Sequence, residues 1–322
     1  MEHLSSSVEE KKIKILTRQK KRVIFYVLML VIPLLQFSIF YIYANFNSII
    51  LAFQKYEANL DGLGYTVTFV QFENFQTAFD FLFSARSWDM IVNSLKFYFF
   101  TLVIGTTLAL TFSYYIAKKY PASKVFRIVL YLPTIISSVV LTLLFKYIVT
   151  DVYPLIVKNM TGERVLGLLD SGKNMQYNIV LVYSLWVSFG ANVLLYTSAM
   201  SGIDQSVVES AQLDGVNVLQ EFIFIYFPLI FPTFTTFVVT GITGIFTNQM
   251  NLYTFFGEYG GNTFSVFGFF LYAETKASGL VKSGNKMSYP ELSALGLVIT
   301  LFIIPIVLTV RKLMEKFGPN EE

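Results

Sequence analysis

The chain has 322 residues, 54% of them hydrophobic and 17% aromatic, with a mean hydropathy of +0.58 and only 14% charged residues. A soluble domain carries about 25% charged residues, so the expected main solvent is lipid. There is no cysteine and a single histidine, His3. This excludes disulfides, thiolate catalysis and zinc–thiolate sites, and a histidine-based catalytic or metal site is not expected. The net charge of +3 matters less than where the charges fall.

The chain opens on a basic leader, residues 1–22, ending in "KKIKILTRQKKR". The apolar stretch after it is too long for a signal peptide and lacks a small-residue cleavage pattern, so an uncleaved helix is expected. A helix needs about 20 mostly apolar residues to cross the hydrocarbon. Six stretches qualify: roughly 23–45, 91–117, 125–150, 177–200, 227–250 and 290–310. The fold class is therefore all-α, with six transmembrane helices in one domain, 23–310, and a short tail, 311–322. With the N-terminus inside, the inner segments 1–22, 118–127, 201–226 and 311–322 carry 14 basic residues, and the outer loops carry 8. The excess places both termini in the cytoplasm. Lys96 and Lys146, near the outer ends of spans, are expected to snorkel to the interface. The outer segment Ala273–Ser288, polar with lysines and two glycines, reads as an exposed loop.

The inner segment 201–226 has no basic residue but carries Asp204, Glu209, Asp214 and Glu221. Asp204 can cap a short helix, Gln205–Leu213. Ile203, Val207, Val208 and Ala211 form an apolar stripe on it. Gly215 suits a left-handed stop, and Asn217 can cap a second helix, Val218–Phe227. Pro228 and Pro232 bend the entry into the fifth span. The expected product is a helix–turn–helix bracket. A helix lying on headgroups would carry lysine and arginine on its polar face, so an acidic bracket reads as a docking element for a soluble protein.

"ESAQLDG" (Glu209–Gly215), nine residues and then "IYFP" (Ile225–Pro228) resemble the EAA signature of ABC-importer permeases, with Ser210 where that family usually has alanine. "VLYLPTIISSVV" (Val129–Val140), "LWVSFGANVLLY" (Leu185–Tyr196) and "VTFVQFENF" (Val67–Phe75) resemble its carbohydrate-uptake branch, the maltose-importer-like permeases. The resemblance implies a permease subunit in a prokaryotic cell membrane, importing an oligosaccharide by alternating access. The bracket would be the coupling loop, with Glu209, Ser210, Ala211, Asp214, Gly215, Ile225 and Pro228 meeting an ATPase. Implied partners are a second permease, two cytoplasmic ATPase subunits and an extracytoplasmic solute-binding protein that docks on outer segments 46–87 and 251–289. The EAA signature is shared by importers of peptides, polyamines and phosphate, so a non-sugar cargo remains the alternative. A membrane protein acting without ATPases is a remote one.

No P-loop is present: Gly279 to Gly284 is followed by Asn285 where lysine is required. ATP and magnesium would thus be bound by the partner ATPases, with no cofactor in this chain. Polar groups in the spans, Asn93, Ser94, Ser137, Ser138, Asn192, Thr240, Thr243, Thr247, Asn248, Gln249 and Asn251, are candidates for the translocation path. Trp186, Asn192, Thr247, Asn248, Gln249, Asn251 and Tyr253 offer the amides, hydroxyls and aromatic faces that a sugar needs. Polar residues in spans also bind helices to each other.

Overall fold

The computed structural model describes residues 2–59, 64–257 and 264–319, with side chains from residue 20 onward. Six helices among these are long and apolar enough to cross a membrane: Lys20–Leu51, Ala85–Ala117, Ser138–Thr161, Lys173–Ser201, Val218–Gly244 and Tyr289–Phe317, called here the first to sixth spans, with the fifth counted from Phe227. Among the described residues the chain is mainly helical, as expected, with one two-stranded sheet that the hydropathy pattern did not announce.

Apolar clusters at the two ends hold the spans together. At the near end, Ala109, Leu110 and Tyr114 of the second span pack with Val193, Tyr196 and Met200 of the fourth and with Val208, Tyr226 and Ile230. At the far end, Phe97 packs with Val180, Tyr183, Leu252, Phe255 and Val266. A second far-end cluster joins Ala52, Ala78 and Met90 to Phe267, Leu292, Leu295 and Val298. The first span stands apart. None of its most apolar 18-residue stretch is buried against the rest of the chain, and only its last turns, Ala44–Leu51, lean on the sixth span.

The expected third span, 125–150, is not one helix. A helix Ser123–Ile135 ends at Ile136, which is extended (φ −81°, ψ 142°), and a new helix starts at Ser138. Pro133, inside the first piece, lacks an N–H and its ring crowds the carbonyl four residues back. Hydropathy runs straight through this joint and does not register it. The fifth span also ends earlier than expected, at Gly244 instead of Met250, in a turn where Met250 and Asn251 take left-handed φ of 53° and 56°.

Two spans carry a π-helical turn immediately ahead of a proline: Ile148–Val152 before Pro154 and Phe222–Tyr226 before Pro228. The wider turn accommodates the missing donor without breaking the helix.

The far end is more ordered than its polar sequence suggests. Strands β1 (Gln54–Ala58) and β2 (Tyr65–Phe69) form an antiparallel hairpin with Gln54 opposite Phe69. The buried Asn74 amide of the helix Glu73–Leu82 donates to Ala52 O at 2.9 Å and Gln54 O at 2.8 Å, fixing that helix to the hairpin. The stretch expected as an exposed loop, Ala273–Ser288, begins inside a helix, Phe267–Ala277. Its remainder is pinned by a bridge between Val281 and Tyr56 and by a Lys282–Glu291 ion pair at 2.6 Å.

Candidate functional site

The segment 202–226 forms a bracket at the near end. Asp204 takes an extended backbone, and its side chain accepts from Ser206 N at 3.0 Å. That hydrogen bond holds the Asp204 carboxyl below the usual carboxylate range. The helix Gln205–Leu213 follows and is closed by Gly215 at φ +79°, a conformation that costs any residue with a Cβ. Asn217 then opens the second arm with a reciprocal capping box: its side chain accepts from Gln220 N at 2.9 Å, and Gln220 Oε1 accepts from Asn217 N at 3.0 Å. Both arms are therefore fixed by local chemistry that the sequence spells out.

The apolar stripe faces differently from the expectation. Val208 is buried in the near-end core, with Ile203 packed beside it. The exposed apolar groups of the bracket are Val207, Leu213, Val218 and Leu219, followed by Ile223 and Phe224 on the second arm, with Leu213 at the tip 88% exposed. Among the acids, Glu209 and Asp214 are exposed beside Leu213, as are Ser210 and Gly215, while Ala211 and Ile225 are half-buried. Glu221 is not part of that acidic face. It is 4% exposed and paired with Lys118 at 2.8 Å. Pro228 is half-buried where the second arm enters the fifth span.

The polar residues expected along a path fall into two groups. Some are used inside the protein. Ser94 Oγ accepts from Phe267 N at 3.0 Å, and Asn93 donates to Ser265 O at 3.1 Å, so both anchor the segment leading into the helix Phe267–Ala277. Thr247 donates to Thr243 O at 3.2 Å, and Asn248 Oδ1 accepts from Met250 N at 2.8 Å, shaping the turn after the fifth span. Gly268 fits against that turn; a Cβ there would lie 2.6 Å from Asn248 C. Tyr253 packs edge-on to Tyr272 at 5.1 Å, and Asn251 holds the left-handed corner. The other group retains free chemistry. Trp186 exposes 45% of its surface while packing on Phe145 and Tyr183. Asn192 is half-buried on the fourth span. Gln249 Oε1 is buried without a hydrogen-bond partner.

One of the two lysines expected to snorkel differs. Lys146 Nζ donates to Phe255 O at 2.6 Å, satisfying the end of the short helix Leu252–Phe256. Lys96 is exposed and lines a cavity of about 510 Å³ with Arg86, Asp89, Lys173, Tyr177 and Glu274. Sequence spacing alone does not distinguish Lys146 from a snorkelling lysine.

Six apolar spans with a doubly capped bracket between the fourth and fifth define a multi-pass membrane protein. The chain belongs to the family described as the binding-protein-dependent transport system inner membrane component, whose pattern matches residues 102–320. These are multi-pass permease subunits of ABC transporters, whose ATPase is a separate chain. Among relatives, the probable starch degradation products transport system permease protein AmyD of Thermoanaerobacterium thermosulfurigenes is 28% identical over 167 residues, 52% of this chain and 56% of that protein. The arabinooligosaccharides transport system permease protein AraP of Bacillus subtilis is 24% identical over 291 residues, 88% of this chain and 86% of that protein. The chain thus aligns with about half the length of the first relative and most of the second. In structure it resembles a chain of a bacterial ABC transporter involved in the import of the acidic polysaccharide alginate, with a TM-score of 0.72, 21% identity, and coverage of 94% of this chain and 99% of that one.

Proposed function

We propose that this chain is one permease half of an ATP-driven importer of an oligosaccharide, and that its bracket docks in a cleft of a cytoplasmic ATPase. The observation that carries this reading is the bracket itself. It is fixed at both caps, projects Leu213 into solvent, and places the exposed carboxylates Glu209 and Asp214 beside it. The near end is cytoplasmic, in keeping with the 14 to 8 excess of basic residues on that side. A single exposed ion pair contributes about 0–1 kcal/mol, so Leu213 supplies more of the docking energy and Glu209 more of the register. Gly215 provides the bend between the arms, and Ser210, Ala211, Ile225 and Pro228 keep the bracket compact at its junction with the fifth span.

The first span, unburied within its own chain, is a surface for a second permease. At the far end, Tyr65, Phe69, Phe72 and Phe83 are exposed on and around the hairpin and form a landing surface for a solute-binding protein. The relatives named for starch products and arabinooligosaccharides favour a glycan as cargo. Trp186, Asn192 and Gln249 are the groups best placed to meet it, with the turn Thr247–Tyr253 shaping the path. ATP and magnesium reside in the ATPase subunits. Closure of the ATPases on ATP draws the two brackets together and opens the path outward, and hydrolysis resets it.

The test is purification of the intact assembly from the native membrane and identification of both its nucleotide-binding chain and the ligand on its external binding protein. A Walker-motif partner and a bound oligosaccharide are the expected result. An assembly with no ATPase overturns the reading, and a peptide or polyamine on the binding protein overturns the cargo.

A further inference from the structure

Glu221 lies where three elements meet. Its Oε1 accepts from Lys118 Nζ at 2.8 Å and from the Tyr114 hydroxyl at 3.1 Å, and its Oε2 accepts from Gln212 Nε2 at 3.1 Å. Tyr114 and Lys118 are at the near end of the second span and Gln212 is on the first arm of the bracket, while Glu221 is on the second arm. The carboxylate side chain is 5% exposed and the lysine 16%. Tyr114 also packs edge-on to Phe222 at 5.4 Å and Tyr226 at 5.0 Å, on the π-helical turn that leads into the fifth span. Immediately after Lys118 the chain turns sharply, with Lys119 at φ +55° and Ala122 at φ +60°, and starts the helix Ser123–Ile135.

The outer face of the bracket would be enough for docking. A rigid bracket joined only to the fourth and fifth spans would, however, transmit motion to those two alone. The buried carboxylate adds a second connection, running sideways to the second span and through the 118–122 turn to the third crossing. An ion pair held in a mostly dry site has discrete made and broken states: removing either partner leaves an uncompensated charge, so partial loosening is disfavoured.

We propose that Glu221, through Lys118, is a positioning residue that makes the second span move as one body with the bracket, so that ATPase closure acts on the second and third crossings as well as on the fourth and fifth. This rests on the importer reading above. The experiment uses the full complex, reconstituted in liposomes with its binding protein. It compares wild type with Glu221→Gln, Lys118→Met, the exchanged pair Lys118→Glu/Glu221→Lys, and the milder Tyr114→Phe. The readout is ATP hydrolysed per solute transported. The single charge-removing variants should raise this ratio at least fivefold while the ATPase still co-purifies. The exchanged pair should recover at least half of the wild-type coupling, and Tyr114→Phe should raise the ratio about twofold. A purely structural staple would lower assembly yield and melting temperature, with transport and hydrolysis falling in proportion. An unchanged ratio in assembled Glu221→Gln or Tyr114→Phe complex overturns the proposal. Should the charge-removing variants fail to assemble, Tyr114→Phe decides alone. Failure of the wild-type complex to show any binding-protein-stimulated hydrolysis would instead overturn the importer reading and is distinguishable on that basis.

Discussion

Gly190 supports a close crossing between the fourth span and the helix Ser123–Ile135, and replacing it with alanine should destabilise the protein. A Cβ at this position would overlap Leu130 O and would lie 2.9 Å from Leu130 C and 3.3 Å from Tyr131 Cα. Carbon–carbon contacts are comfortable at about 3.5–4.0 Å, so the helices would have to separate by roughly an ångström. The opposing atoms belong to backbone, so no side chain can swing aside. Overpacking of this kind costs about 1–3 kcal/mol. Alanine gains about 0.8–1.0 kcal/mol of helix propensity over glycine, leaving a net loss of roughly 0–2 kcal/mol. Gly296 in the sixth span is the matched control, because a Cβ there meets nothing within 4 Å. Gly296→Ala should leave stability unchanged or raise it by up to about 1 kcal/mol. Thermal unfolding of the detergent-solubilised protein, followed by tryptophan fluorescence, reads both. Trp186 is one of the two tryptophans and lies four residues from Gly190. If Gly190→Ala melts at or above wild type, alongside Gly296→Ala, then propensity alone governs and the close crossing is refuted.

Three other outcomes follow from the same geometry. Leu213→Ser should weaken ATPase association more than Glu209→Gln, because burying a leucine is worth about 1.5–3 kcal/mol and an exposed ion pair about 0–1 kcal/mol; a pull-down titration ranks the two, and the reverse order would place the docking energy in the charge. Gly215→Ala should destabilise the bracket by about 1–2 kcal/mol, since a residue with a Cβ is strained in the left-handed region, and hydrogen exchange of residues 205–221 should rise locally. Thr142→Val should cost about 0.5–1.5 kcal/mol by removing the 2.6 Å hydrogen bond to the buried Tyr183 hydroxyl, which then keeps only its 3.5 Å bond to Ser138 O; an unchanged melting temperature would show that the pair contributes nothing.

What the sequence made legible was local chemistry. Asp204, Asn217 and Gly215 announce the bracket because a cap or a left-handed stop is determined by the residue and its near neighbours. Span number was legible because hydropathy averages over a whole helix. The joint at Ile136 was not, although Pro133 stands three residues before it, because a window of about 20 residues smooths over a two-residue break. The Lys118–Glu221 pair was out of reach for a different reason. Its members are 103 positions apart, and each looks like an ordinary charge at the end of a span. The same holds for Asn93 and Ser94, whose partners Ser265 and Phe267 lie more than 170 positions away. In Thr247–Tyr253 the residue types suggested ligands, and the hydrogen bonds of Thr247 and Asn248 that shape its corner were not legible in them.

The isolation of the first span has a consequence for how such a molecule is made. Lipid alone can house an apolar helix, so this segment inserts and waits without help from the five that follow. On the proposed reading its permanent seat is on a second permease, and a copy synthesised in excess would keep a lone arm adrift in the bilayer.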